Sequence, residues 1–246
     1  MKSWSKLFSV VLTFMFLVSA TFVANANPAE RIANDYGIAD SSVQDMIDSG
    51  WAYEDINQAG FLALASGESL DTVVKYNAIA GSWKGTEGLL GLTDWHVKTG
   101  QHKLIANQLN QIFHADKTGV ESLLTQKYHP KAIAIAAALA SKSAVAQELA
   151  IQGNKSKEKV DPRYRETAVE VVMGMKMKQG DTWVSWTEIG EKLGLSNEEV
   201  FSAINEFNTA MAERKSFGDS YGFESGAYGY AESDFVSYGY DIELVK

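Results

Sequence analysis

Cysteine is absent from all 246 residues, and that absence excludes more than any motif does. Without a thiol the chain forms no disulfide, no thiolate metal site and no cysteine nucleophile, and offers no cysteine for lipid attachment. Proline is scarce, at three residues, so helices can run with few interruptions. Positive charge is in deficit: 22 basic residues face 31 acidic ones, a formal net charge of −9. Such a chain is repelled by nucleic acid and anionic lipid unless a local basic patch overrides the field. Also missing are a G-x-S-x-G turn, a phosphate-binding glycine loop and an H-E-x-x-H pair. The four histidines, His96, His102, His114 and His129, never stand four apart. The resulting expectation is a protein with no catalytic residue, no cofactor and no metal ligand set, hence not an enzyme.

What is present begins with an export signal. Lys2 and Lys6 precede one apolar run, Leu7 to Val18, and Ala24-Asn25-Ala26 forms a small-x-small cleavage site. Residues 1–26 therefore read as a cleavable signal peptide, and the run is too short for a membrane anchor, which wants about 20 apolar residues. Cleavage removes two lysines and no acid, leaving 20 basic against 31 acidic residues, or −11. The expected location is periplasmic, cell-surface or extracellular, with no transmembrane segment once the signal is gone.

The body reads as all-α, in two diverged multi-helix units followed by a tail: 27–112, 113–216 and 217–246. Val43, Met46 and Ile47 match Val120, Leu123 and Leu124 in helical spacing. An aromatic follows each set, Trp51 and Tyr128. Ile56, Ala59, Leu62 and Ala63 match Ile133, Ala136, Leu139 and Ala140. Ser82-Trp83 and Ser185-Trp186 then precede Leu90 to Leu92 and Leu193 to Leu195. The second unit carries an insertion at about 141–167. Gly50, Gly67 and Gly81 mark helix ends, and Ser69 a helix start. Ser185 with Glu188, and Ser196 with Glu199, have the spacing of capping boxes. Lys131 to Gln152 reads as one long alanine-rich helix, and Asn154 to Arg165 as a polar, locally basic loop.

Residues 185–204 have a helix-turn-helix-like pattern, with Ile189 and Leu193 inside, Gly194 at the turn and Ser196 opening the next helix. That helix offers Asn197, Glu198, Glu199, Asn205 and Glu206, with no cation before Arg214, so it suits packing and opposes a phosphate backbone. Nucleic acid is not an expected partner.

From Phe217 onward glycine, tyrosine and acid dominate and the helical period stops. Disorder is the expectation there, although Tyr238, Tyr240, Ile242 and Leu244 alternate as one face of a strand would. Glu224-Ser225 with Ala231 and Ser233 resembles the Glu-Ser…Ala-x-Ser order of lytic transglycosylases. Ala227, however, stands where that family has an aromatic, and no general acid is read here.

With these landmarks in place, the chain resembles a group of exported bacterial helical proteins, chiefly Firmicutes-type, of uncharacterised function. The matching residues are Gly50, Trp51, Ile56, Ala59, Leu62, Ala63, Gly81, Ser82, Trp83 and Leu90 to Leu92. In the second unit they are Tyr128, Ile133, Ala136, Leu139, Ala140, Ser185, Trp186 and Leu193 to Leu195, with Lys127 in place of the glycine. The resemblance implies a tandem helical fold and transfers no catalytic residue.

The expected role is a non-enzymatic module acting through protein or cell-envelope contacts. Its candidate surface residues are Trp51, Tyr53, Tyr128, Tyr228, Tyr230, Tyr238 and Tyr240. Two alternatives remain: a peptidoglycan- or glycan-binding or -processing protein using Trp51, Tyr53 and Tyr128, and, less favoured, a helix-turn-helix nucleic-acid binder. Trp83 and Trp186 are expected to serve the cores.

Overall fold

A computed structural model describes residues 27–157, 165–176, 178–179 and 182–216. The signal-peptide reading, the tail and Tyr228, Tyr230, Tyr238 and Tyr240 lie outside the described residues. The fold is all-α. In the first half α1 spans Pro28–Tyr36, α2 Asp40–Asp48, α3 Tyr53–Ser66, α4 Leu70–Ala80, α5 Trp83–Leu89 and α6 Asp94–Phe113. In the second, α7 spans Lys117–Thr125, α8 Pro130–Lys142, α9 Ala144–Lys157, α10 Ala168–Met175, α11 Trp186–Lys192 and α12 Asn197–Ser216. A two-residue antiparallel hairpin, Lys178–Gln179 with Thr182–Trp183, joins α10 to α11.

Local chemistry accounts for most helix ends. The Ser69 hydroxyl accepts from the Thr72 N–H at 3.2 Å and opens α4, satisfying a donor the helix leaves orphaned. Gly81, at φ 68°, closes it, with its N–H on the Asn77 carbonyl. Ser196 and Glu199 cap α12 reciprocally: the Ser196 N–H donates to Glu199 Oε2 at 2.8 Å and the Glu199 N–H to Ser196 Oγ at 3.2 Å. At α11 only half of the expected box forms. Ser185 Oγ accepts from the Glu188 N–H, while the Glu188 carboxylate turns to Lys192 at 3.0 Å.

The long helix expected over Lys131 to Gln152 is in fact two, α8 and α9, bent by 98°. The break is at Ser143, whose backbone is extended (φ −108°, ψ 115°). Its hydroxyl accepts from the Ala146 N–H at 3.1 Å, capping α9, and donates to the Leu193 carbonyl at 2.8 Å. A serine that both caps and docks outweighs the alanine-rich propensity around it. The expected loop after residue 153 also begins later, because Asn154 is still helical. Its side chain grips the backbone of Glu166, accepting from the N–H at 2.5 Å and donating to the carbonyl at 2.9 Å.

Two apolar clusters form the interior. Ala29, Ile32, Tyr36, Val43, Ile56, Phe61, Leu62, Val73 and Leu104 fill the first. Ile105, Leu109, Phe113, Val120, Leu123, Ile133, Leu139, Val172, Trp186, Ile189 and Ile204 belong to the second. Helix α6 serves both, with Leu104 in one cluster and Ile105 in the other, so a division at residue 112 falls at the end of a shared helix rather than at a linker. Close approach requires glycine at Gly100, where a Cβ would lie 2.8 Å from that of Ala65, on α3. Helix α8 is buried along nearly its whole length, its alanines letting α10 and α12 approach. Among the described residues no single helix is long and apolar enough to cross a membrane. The bent pair α8–α9 passes by composition together, but α8 is core.

The matched segments keep fixed separations. Asp40 and Lys117, which open nine-residue helices, are 77 apart, as are Tyr53 and Pro130. Trp83 and Trp186, opening seven-residue helices, are 103 apart, as are Asp94 and Asn197, opening twenty-residue helices. The separation grows by 26 between Lys142 and Ser185, the interval that holds the expected insertion at about 141–167.

Candidate interaction surface

The first-half tryptophans meet where α3 starts and α5 begins. Trp83 is half-buried, and its indole N–H donates to Asp55 Oδ1 at 2.8 Å. The Trp51 ring lies 6.3 Å from the Trp83 ring, tilted by 50°. Trp51 and Tyr53 are half-buried against the first core, whereas Tyr128 packs on the second. The three aromatics expected to share a groove are therefore divided between two cores. Trp186 takes the core role expected of it, at 2 % exposure. The buried Lys176 ammonium stands 4.6 Å from its ring centre and donates to the Val184 carbonyl at 2.7 Å. Trp83 meets that expectation only in part, packing on the first core while partly exposed.

The turn between α5 and α6 carries apolar surface. Leu89 is 49 % exposed and Trp95 68 %; Ile79, at the end of α4, is 73 % exposed. Among the described residues the Trp95 ring meets that of His96 edge-on at 5.1 Å. At the same helix positions 103 residues on, Lys192 and Glu198 stand where Leu89 and Trp95 do, and both are exposed. The turn geometry is shared: Gly91 and Gly194 have φ of 65° and 74°. The first-half turn thus exposes apolar side chains where the second-half turn exposes charged ones.

A buried ionic cluster, which sequence reasoning missed, ties the two halves together. Arg214 on α12 donates through Nε to Asp35 Oδ2 at 3.2 Å and through Nη2 to Asp35 Oδ1 at 3.3 Å. Gln111 of α6 donates to Asp35 Oδ1 at 2.7 Å and accepts from Arg214 at 3.3 Å. Asn107 donates to the Asp35 carbonyl at 2.8 Å, and Arg31 lies 3.6 Å from Glu213. Burial lifts the Asp35 carboxyl above its ordinary range; the Arg214 charge and hydrogen bond, then Gln111, pull it back. Arg214 appeared in the sequence only as the first cation of a long helix. A partner 179 residues away leaves no local signal.

One cleft of about 290 Å³ lies between α9 and the corner of α6 and α7, lined in part by His114, Gln147, Asn154, Arg165 and Glu166. Trp51, Tyr53 and Tyr128, the described aromatics expected to bind, do not line it. Burial lowers His129 to about 4, helped by the nearby Lys131 charge, and His102 to about 4, helped by Lys98. His129 Nδ1 accepts from the Lys131 N–H at 3.2 Å and caps α8, which requires a neutral ring. Among the described residues no three histidine, aspartate or glutamate side chains gather to hold a metal ion. On α12 the outward residues Asn197, Glu198, Phe201, Ser202 and Asn205 present acid, amide and one exposed phenyl ring.

Comparison with protein-family models, with curated proteins and with solved structures returns no match.

Proposed function

We propose that this chain is an exported, non-enzymatic helical module that acts by contact with a protein or cell-envelope component. Its contact face is the α5–α6 corner. One observation carries the reading: Leu89 and Trp95 are exposed where the equivalent turn of the second half has Lys192 and Glu198. Exposed large apolar residues at neighbouring positions support reading this corner as a contact surface, where a single one would not. We further read the two halves as diverged copies, supported by the matched helix starts and the shared left-handed turn positions. Export rests on the sequence of residues 1–26, and the folded body opens just after them: the Asn27 side chain accepts from the Ala29 N–H at 3.2 Å and caps α1. The test has two parts. N-terminal sequencing of the protein recovered outside the cytoplasm should begin at Asn27. The paired variant Leu89→Lys, Trp95→Glu, which borrows the second half's own residues, should fold normally and lose envelope association. Unchanged association of that variant would remove the face from the reading.

A second reading, glycan binding, is favoured by one specific observation. Trp51 and Trp83, tilted together beside the Asp55 carboxylate, combine aromatic faces with an acceptor, as sugar recognition requires. Titration of tryptophan fluorescence with soluble peptidoglycan fragments tests it, and a flat response in the wild-type protein would end it.

A further inference from the structure

We propose that the cleft between α9 and the α6–α7 corner binds a small zwitterion, a free amino acid or a dipeptide. Arg165 holds its carboxylate and Asp116 its ammonium. This goes beyond the contact reading and does not depend on the α5–α6 corner.

The two halves differ in what they place around this space. Ala115, Ser141, Gln147 and Ala150 line the cleft. At the positions 77 residues earlier stand Ile38, Leu64, Leu70 and Val73, all packed in or against the first core. Each of these branched apolar side chains is matched by a smaller or a polar one in the second half. The cleft floor is made of methyl groups: Ala115, Ala137, Ala140, Ala150 and Ala168 are all buried. Protein interiors leave few voids larger than a water molecule, so a hollow of about 290 Å³ at core positions is a feature to explain. Its volume is near the lower end for ligand sites and suits a molecule on the order of ten non-hydrogen atoms.

Charge selects the class of molecule. Arg165 and His114 line the cleft, both exposed, and neither side chain bonds another residue among those described. A guanidinium is always charged and its planar fork matches a carboxylate. Asp116 accepts from the Gly119 N–H through Oδ1 at 3.0 Å to cap α7, which leaves Oδ2 for a cation. A ligand of a single charge would face one of these groups with the wrong sign. A zwitterion answers both, and its short apolar body meets the alanine floor. The start of α10, which also lines the cleft, needs no anion, because Thr167 and Glu170 cap it reciprocally. His114 adds a further mark: it holds a left-handed φ of 54° at the cleft, where the first half has Gly37. Such strain in a non-glycine residue gathers at binding sites.

The experiment titrates the full chain with four probes, followed by ligand-observed NMR: alanine in both enantiomeric forms, alanyl-alanine, acetate and ethylamine. Alanine or alanyl-alanine should bind saturably, and the tighter of the two tells free amino acid from dipeptide. Acetate and ethylamine, each with one of the two charges, should bind at least about tenfold more weakly, the worth of one charge-assisted hydrogen bond. Arg165→Gln, at an exposed position, should weaken the zwitterion by about the same factor. Ser141→Leu with Ala150→Val, which borrows the first half's own residues, should abolish binding and leave the urea midpoint unchanged or raised. The proposal is overturned if neither zwitterion binds saturably, if acetate binds as tightly, or if Arg165→Gln binds like the wild type. That last variant decides the matter even if the filled cleft fails to fold.

Discussion

Trp83 and Trp186 hold the same position in the two halves and live in different surroundings. Each opens a seven-residue helix behind a serine whose hydroxyl accepts from an N–H three residues on, at 3.2 Å for Ser82 and 3.1 Å for Ser185. Trp186 is enclosed, with the Lys176 ammonium over its ring. Trp83 is only partly buried and bonds a carboxylate. The leucines beyond follow suit: Leu193 and Leu195 are buried, Leu90 and Leu92 only partly. The difference comes from what covers them. In the second half Ser143 Oγ donates to the Leu193 carbonyl and α9 starts there, within the region that makes this half longer. In the first half Ser66, 77 residues earlier, turns its hydroxyl back to the Leu62 carbonyl at 2.6 Å and docks nothing. The second-half turn is thus tied to the start of α9 and buries its leucines, while the first-half turn is more open.

The largest test of this contrast is to delete both rings. Trp186→Ala removes a fully enclosed side chain and leaves Lys176 buried against a void, so urea unfolding should show a loss of about 3–5 kcal/mol. Trp83→Ala loses part of its burial and one hydrogen bond, and should cost about 1–2 kcal/mol. Equal losses would mean that the first half is as tightly closed as the second.

The link between the halves comes next. Arg214→Ala leaves the Asp35 carboxylate buried without its guanidinium, and about 3 kcal/mol of stability should be lost in thermal or urea melts. Replacing the pair together, Asp35→Leu with Arg214→Met, should recover most of that loss, since well-packed apolar residues can substitute for a buried ion pair. If the double variant is as weak as the single one, the cluster's hydrogen bonds to Gln111 and Asn107 matter more than its charges.

Acid should loosen the fold through its partly buried histidines. His129, held to about 4 when folded against an ordinary 6.5, caps α8; at the matched position Ala52 precedes α3 with no side-chain cap. A histidine depressed in the folded state binds its proton more readily when unfolded. Its contribution is therefore full above pH 6.5 and is lost as pH falls toward about 4. His102 adds a slope of the same sign, and Asp35, lifted by burial, one of the opposite sign. His129→Asn keeps a capping side chain and removes the titration, so melts across this range should become flatter. An unchanged pH slope would free His129 from the account.

Much of this was legible in sequence because it is local. Glycines at helix ends, Ser69, the Ser196 and Glu199 pair and the 3-4 spacing of apolar residues each act within a turn or two, and the all-α body follows from them. The bend at Ser143 was not legible. A serine after Lys142 reads as one more helical residue until Leu193, 50 positions on, presents a carbonyl to it. The Asp35–Arg214 pair was hidden for the same reason. At the candidate surface the sequence pointed to Trp51, Tyr53 and Tyr128 for being aromatic, whereas the exposed large apolar residues include Ile79, Leu89 and Trp95 in the first half and Val145, Leu149, Ile151 and Phe201 in the second. Helical period alone does not say which side of a short helix a neighbour will cover.

The smallest expected effect asks how far the two halves are one pattern. His114 and Lys127 are the non-glycine residues with positive φ among those described, at 54° and 67°. Each stands 77 residues after a glycine of the first half, Gly37 at 67° and Gly50 at 81°. A side chain in this region carries a steric cost of about 1 kcal/mol that glycine escapes. The second half has the same backbone conformation without the residue that suits it. His114→Gly and Lys127→Gly should therefore each stabilise the protein, by about 0.5–1 kcal/mol after the added freedom of the unfolded chain is subtracted. The reverse changes, Gly37→Ala and Gly50→Ala, should destabilise by about the same amount, although neither Cβ would touch anything. Urea midpoints for the four variants decide it. If the glycines fail to stabilise, the left-handed turns of the second half are held by their own contacts, such as the Asn110 side-chain bond to the Ala115 carbonyl at 2.9 Å, and not by an inherited backbone path.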